Sequence, residues 1–191
     1  MVVVDSRPGC TLVLGPARSG KSRWAEHLAS RSGLPVHYLA TGPSPCGDDP
    51  AWAGRIATHR GRRPPGWRTQ EVGANLAEAI DLLQPPGIAL VDSLGTWVAS
   101  ALELDVEAWK LRCCSLANSL SDCSVPVLLV SEQTGWGVVP ATAIGGLFRD
   151  RLGALEQQLE PLCCGVWLVV AGRALDLKAH SVAIPPDSPS C

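Results

Sequence analysis

Short apolar runs recur along this chain, separated by longer stretches with a helical rhythm. "CTLVLG" (10–15), "VHYLAT" (36–41), "GIALVDS" (87–93), "VPVLLVS" (125–131) and "GVWLVVAG" (165–172) are rich in Val and Leu and barely interrupted by polar residues. Such runs predict strands buried on both faces. After the first run, "KSRWAEHLAS" (21–30) sets Trp24, Ala25 and Leu28 at helical spacing. Further helix-like stretches are 74–84, parts of 95–120, and 141–160. Alternating strands and helices predict an α/β domain: a largely parallel central sheet with helices on both faces. One domain is expected over 1–180. "GPSPCGDDP" (42–50) reads as a Gly/Pro loop, and 181–191 as a flexible tail.

Composition narrows the function classes. A chain of 191 residues supports a sizeable core, and its net charge of −2 supplies no field to draw nucleic acid or a membrane surface. No run approaches a membrane span, and "MVVVDSRPGC" lacks the basic start and apolar centre of a signal peptide. A cytoplasmic location is expected. The eight cysteines form no C-x-x-C pair; Cys113–Cys114 and Cys163–Cys164 are adjacent. They are expected to act as small apolar residues rather than as a metal site.

The first chemical signal is "GPARSGKS". Gly15 and Gly20 stand five apart and precede Lys21 and Ser22, the spacing of a P-loop. Strand, loop and helix follow in the required order. Glycines permit close backbone approach, and after Pro16, which has no N–H of its own, the N–H groups of Ala17, Arg18, Ser19 and Gly20 cradle phosphates at a helix N-terminus. Lys21 is expected on the outer phosphates and Ser22 on Mg²⁺. In such sheets ligands sit at the carboxyl ends of strands. Asp92, closing "ALVD", is a candidate for the Mg²⁺ carboxylate, directly or through water, or for the cap of the next helix. An Asn-Lys-x-Asp base-reading motif is absent from the sequence, which argues against a switch GTPase.

The second signal is "RIATHRGRRPPGWR" (55–68). Five of the sixteen basic residues fall here: Arg55, Arg60, Arg62, Arg63 and Arg68, with His59 among them. If 51–59 is helical, Arg55 and His59 share a face. Positive neighbours would favour a neutral imidazole, the form a nucleophile requires. The arginines would also receive phosphates bidentately. The plainer alternative is a solvated basic loop.

The ordered series "GPARSGKSRWAE", "YLAT", "RIATHRGRRPPGWRTQE", "LVDSLGTWV", "GWGVVP", "FRDRLG" and "VWLVVAG" resembles the bifunctional adenosylcobinamide kinase/adenosylcobinamide-phosphate guanylyltransferase family of cobalamin biosynthesis, over about 11–178. The resemblance implies a P-loop NTPase-like fold and two reactions. A triphosphate, ATP or GTP, phosphorylates adenosylcobinamide. GMP then passes from GTP to that phosphate through a GMP–histidine at the position of His59, releasing pyrophosphate. It implies nucleotide contacts at 15–22, at Thr41, Gly42 and Pro43, at Arg60, Gly61, Arg62 and Arg63, and at Glu71 and Asp92. Mg²⁺ on Ser22 and Asp92, and a homotrimer, are expected with it. The chain departs from the family pattern at Ala51–Trp52, Ser100, Glu132–Gln133 (usually Asn-Glu) and Glu156–Gln157 (usually Asn-Gln). Trp52 and Trp136 are candidates for corrinoid contact, while Trp67 and Trp109 are expected in the core. The alternatives are a P-loop kinase for another alcohol and a non-catalytic nucleotide-binding module.

Overall fold

The computed structural model describes residues 8–44 and 50–185. The strands are β1 (Gly9–Gly15), β2 (Val36–Ala40), β3 (Arg68–Glu71), β4 (Ile88–Asp92), β5 (Pro126–Glu132), β6 (Cys163–Val170) and β7 (Arg173–Asp176). The helices are α1 (Lys21–Arg31), α2 (Pro50–Arg62), α3 (Leu76–Asp81), α4 (Leu94–Ala99), α5 (Val106–Asp122), α6 (Ala143–Leu159) and α7 (Leu177–His180). The strands form one sheet in the order β3-β2-β4-β5-β1-β6-β7. All neighbours are parallel except β6 and β7. The α/β architecture read from the apolar runs is the one observed.

Successive side chains of a strand face opposite sides, so each apolar run feeds two cores. Leu12, Leu14, Ala89, Val91, Val127 and Leu129 meet Leu116 of α5 and Leu152, Leu155 and Leu159 of α6. Val13, Ile88, Leu90, Leu128 and Val130 meet Ala25, Leu28 and Ala29 of α1. Leu90 and Val91 are both 0% exposed, which explains why this strand shows no polar alternation.

Two expectations change. β3, "RTQE", is exposed throughout and joins the sheet edge beside β2; an edge strand with a solvated face carries no apolar signal. The stretch 95–120 splits: Ser93 caps α4, accepting from the Thr96 N–H, and Asp105 caps α5. Asp92 is therefore not the helix cap. Helix α2 covers 51–59, as the shared face of Arg55 and His59 requires, and runs on to Arg62. Trp67 and Trp109 pack against the two cores, whereas Trp136 is 61% exposed. The side chains of Trp52 and Arg55, and residues 45–49 and 186–191, lie outside the described part.

Cys10, Cys113 and Cys163 are buried, in keeping with an apolar role, while Cys114 and Cys164 are exposed. Cys10 Sγ and Cys163 Sγ approach to 3.0 Å across β1 and β6, a pairing that linear spacing did not reveal.

Candidate active site

The strand register brings four chain segments to one edge of the sheet. Gly15 is the partner of Glu132, and Ala40 that of Asp92. The loop after β1 turns sharply there: the Ser19 N–H donates to the Pro16 carbonyl at 3.3 Å, and Gly20 has φ 101°. A Cβ on Gly15 would lie 2.4 Å from the Val169 carbonyl oxygen and 2.6 Å from Ser19 Oγ. Only glycine fits that approach. Gly20 heads α1 without a side-chain cap, so the first N–H groups of the helix face the loop's concavity. Lys21 is buried, and its ammonium donates to the Pro16 carbonyl at 3.4 Å.

Asp92 organises the centre, and its two oxygens divide the work. Oδ1 accepts from Ser22 Oγ at 3.5 Å. Oδ2 accepts from Tyr38 Oη at 2.6 Å and pairs with His59 Nδ1 at 3.1 Å. Burial alone would raise the carboxyl, but the hydrogen bonds from His59 and Tyr38, with the positive Lys21 nearby, hold it below its ordinary value. Tyr38 moves upward, first through burial and then through the adjacent Asp92 charge. Tyr38 lies within the "YLAT" run, where no local pattern marks it for this role.

Among the described side chains, Arg60, Arg62 and Arg63 each engage a group other than the imidazole. Arg60 pairs with Glu71. Arg62 binds Glu26 through Nη2 at 3.0 Å and Nε at 3.3 Å. Arg63 lies 3.5 Å above the Tyr38 ring and donates to Thr69 Oγ1 at 3.4 Å. The charged group paired with His59 is a carboxylate. An Asp acceptor at Nδ1 assigns the proton to that nitrogen and leaves the Nε2 lone pair outward.

His59 stands at the wall of two cavities. One, of 650 Å³, is lined by Ala17–Arg23, Gly54, Thr58, His59 and Arg62. The other, of 310 Å³, is lined by Tyr38, Gly42, Pro43, Ser44, His59, Arg60, Arg63, Glu71, Asp92, Thr96, Glu132 and Phe148, among others. Glu71 is held below the usual carboxylate range by the Ser44 hydroxyl and by Arg60. Thr41 and Gly61 stand apart. Thr41 is buried; its hydroxyl donates to Ser93 O at 2.6 Å and accepts from the Ser93 N–H at 2.9 Å, locking the ends of β2 and β4 together. Gly61 is on an exposed turn of α2. Glu26, Thr96 and Glu132 were not among the candidates; Glu26 and Glu132 find their partners, Arg62 and the Gly95 N–H, on distant elements, while Thr96 belongs to a local capping box with Ser93 and also meets Thr41.

A loop of P-loop sequence between β1 and α1, and a carboxylate ending β4 on the far side of β5, define a protein of the P-loop fold. The fold is similar to the PH0250 protein of Pyrococcus horikoshii OT3, with TM-score 0.56, 10% identity, and coverage of 93% of this chain and 89% of that one. It is also similar to a solved ATPase domain, with TM-score 0.50, 12% identity, and coverage of 85% of this chain and 69% of that one. At these identities the likeness is one of fold. The profile of the cobinamide kinase/cobinamide phosphate guanyltransferase family matches residues 11–177, and the chain belongs to that family. It is 40% identical to the bifunctional adenosylcobalamin biosynthesis protein CobP of Pseudomonas aeruginosa over 176 residues, 88% of this chain and 97% of the relative. Identity to the bifunctional protein CobU of Escherichia coli is 36% over 182 residues, 87% of this chain and 98% of the relative.

Proposed function

We propose that this protein carries out both reactions its family is named for: phosphorylation of adenosylcobinamide, then transfer of GMP to the product. The observation that carries this reading is the bridging of Ser22 and His59 by the two oxygens of Asp92. One carboxylate thereby couples a phosphate-holding hydroxyl to a nucleophile at the wall shared by both cavities.

In the first reaction the aminopropanol hydroxyl oxygen of the corrinoid attacks the γ-phosphorus of ATP or GTP. The nucleoside diphosphate leaves and the hydroxyl proton passes to solvent. The amides of 15–20 and the Lys21 ammonium offset charge on the phosphate oxygens. In the second, His59 Nε2 attacks the α-phosphorus of GTP; an N–P bond forms and pyrophosphate leaves. Positive charge arising on the ring is met by Asp92 at Nδ1–H. A phosphate oxygen of adenosylcobinamide phosphate then attacks the same phosphorus. The N–P bond breaks, adenosylcobinamide-GDP forms, and His59 recovers its lone pair.

Ser22 Oγ and Asp92 Oδ1 are oxygen donors of the kind Mg²⁺ takes, 3.5 Å apart, and these residues would hold it. When bound, Mg²⁺ neutralises charge on the phosphates. Within this reading the remaining nucleotide contacts are Arg60, Arg63, Gly42, Pro43 and Glu71, around the smaller cavity. Thr41 and Gly61 support the fold of that rim, and Arg62 is a nucleotide contact in the wall of the larger cavity. A homotrimer in the cytoplasm belongs to the same proposal and rests on the family resemblance; sedimentation tests the assembly. No helix among the described residues is long and apolar enough to cross a membrane.

Product analysis tests both halves. With adenosylcobinamide and γ-labelled ATP or GTP, label is expected on the corrinoid. With adenosylcobinamide phosphate and α-labelled GTP, label is expected in adenosylcobinamide-GDP. Failure of the first with a different alcohol accepted, or failure of both with nucleotide still bound, would overturn the reading.

A further inference from the structure

Glu156 of α6 is a carboxyl removed from both cavities, and its two oxygens are both engaged by residues of β5 and its end. Ser131 Oγ donates to Oε1 at 2.7 Å, and Gln133 Nε2 donates to Oε2 at 2.8 Å. Ser131 and Gln133 are two apart and share the face that carries Val127 and Leu129 into the α6 core. Gln133 also reaches the P-loop, because its backbone N–H donates to the Gly15 carbonyl at 3.0 Å. Gly15 itself has no slack, being wedged against Val169 O and Ser19 Oγ.

We infer that Glu156 and Gln133 act as one positioning pair for the phosphate-binding loop. Glu156 orients Gln133, and Gln133 sets the height of Gly15, the first residue of the cradle. A carboxylate accepts and a carboxamide donates, so exchanging which position carries the charge preserves the bond. With Gln at 133, position 156 needs an acceptor, and Glu supplies one that engages Ser131 as well. Glu132 is the charged neighbour that bears on the pair, and its like charge, added to burial, opposes ionisation of Glu156. A second carboxylate at 133 would therefore be repelled.

The test is an exchange cycle. At pH 9, where both groups are ionised rather than sharing a proton, Gln133→Glu places two carboxylates face to face and is expected to weaken binding of a non-hydrolysable GTP analogue, measured by calorimetry, about tenfold. Adding Glu156→Gln to it restores a carboxylate–amide pair and is expected to return the affinity to within about twofold of the parent chain. Glu156→Ala, which removes the acceptor, is expected to lose affinity as well. Urea midpoints measured alongside separate positioning from stability. Parent-like affinity in Gln133→Glu, or an exchanged chain that regains its midpoint without regaining affinity, would overturn the inference. Neither result depends on which transfer the protein catalyses.

Discussion

Replacing Glu156 by Gln should stabilise the protein increasingly as pH rises. Burial, helped by Glu132 and partly offset by the bonds from Ser131 and Gln133, pushes the carboxyl up to about 7. Its ordinary value is near 4.3, and each unit is worth about 1.4 kcal/mol. Between those values the native state binds more protons than the unfolded chain, so stability falls as pH rises and levels off above the native value. The ionised side chain then costs the fold at most about 4 kcal/mol, trimmed towards about 3 by partial exposure. Gln is isosteric and fits the same partners: its oxygen accepts from Gln133 and its amide donates to the Ser131 hydroxyl. Urea unfolding of both chains at pH 5, 6, 7 and 8 reads the difference. The gain should be about 1 kcal/mol at pH 5, because the unfolded carboxyl is already mostly ionised there, and reach about 3 kcal/mol at pH 8. A constant difference across the series would refute the reasoning, as would Gln being less stable at pH 8.

Other substitutions probe the site. Asp92→Asn keeps the shape but removes the acceptor charge at His59 Nδ1, so formation of the covalent nucleotide should slow about 100-fold or more in a single-turnover assay. Because hydrogen bonds hold the Asp92 carboxyl low, its stabilising contribution should be present above its unfolded value and be lost as pH falls through the native one; acid titration of stability in Asp92→Asn should lack that loss. Gly15→Ala drives a Cβ to 2.4 Å from Val169 O, and should abolish nucleotide binding by calorimetry and lower stability by at least about 1–3 kcal/mol. Thr41→Val leaves the Ser93 N–H only the longer bond to Thr96 Oγ1 at 3.4 Å and should cost about 1 kcal/mol in urea unfolding.

The sheet was legible because β1, β4 and β5 are largely buried on both faces and β2 and β6, though partly exposed, are still mostly apolar. β3 was not, since Arg68–Glu71 presents only exposed side chains and owes its pairing to backbone bonds with β2. The P-loop was legible because its chemistry is confined to eight consecutive residues. The surroundings of His59 were not. Five arginines nearby in sequence suggested a positive environment, but three of the guanidiniums turn to Glu71, Glu26, Tyr38 and Thr69. The imidazole's partner comes from β4, 33 residues away. Tyr38 is hidden in the sequence for the same reason: its hydroxyl acquires meaning only once β2 lies beside β4.

The central claim is that His59 takes GMP onto Nε2 while Asp92 holds Nδ1. Intact-protein mass spectrometry after mixing with Mg²⁺ and GTP tests it most directly. One added GMP is expected, mapped to the peptide bearing His59, labile to acid and discharged by adenosylcobinamide phosphate. An unmodified protein under those conditions, or an adduct that persists in His59→Ala, would contradict the account.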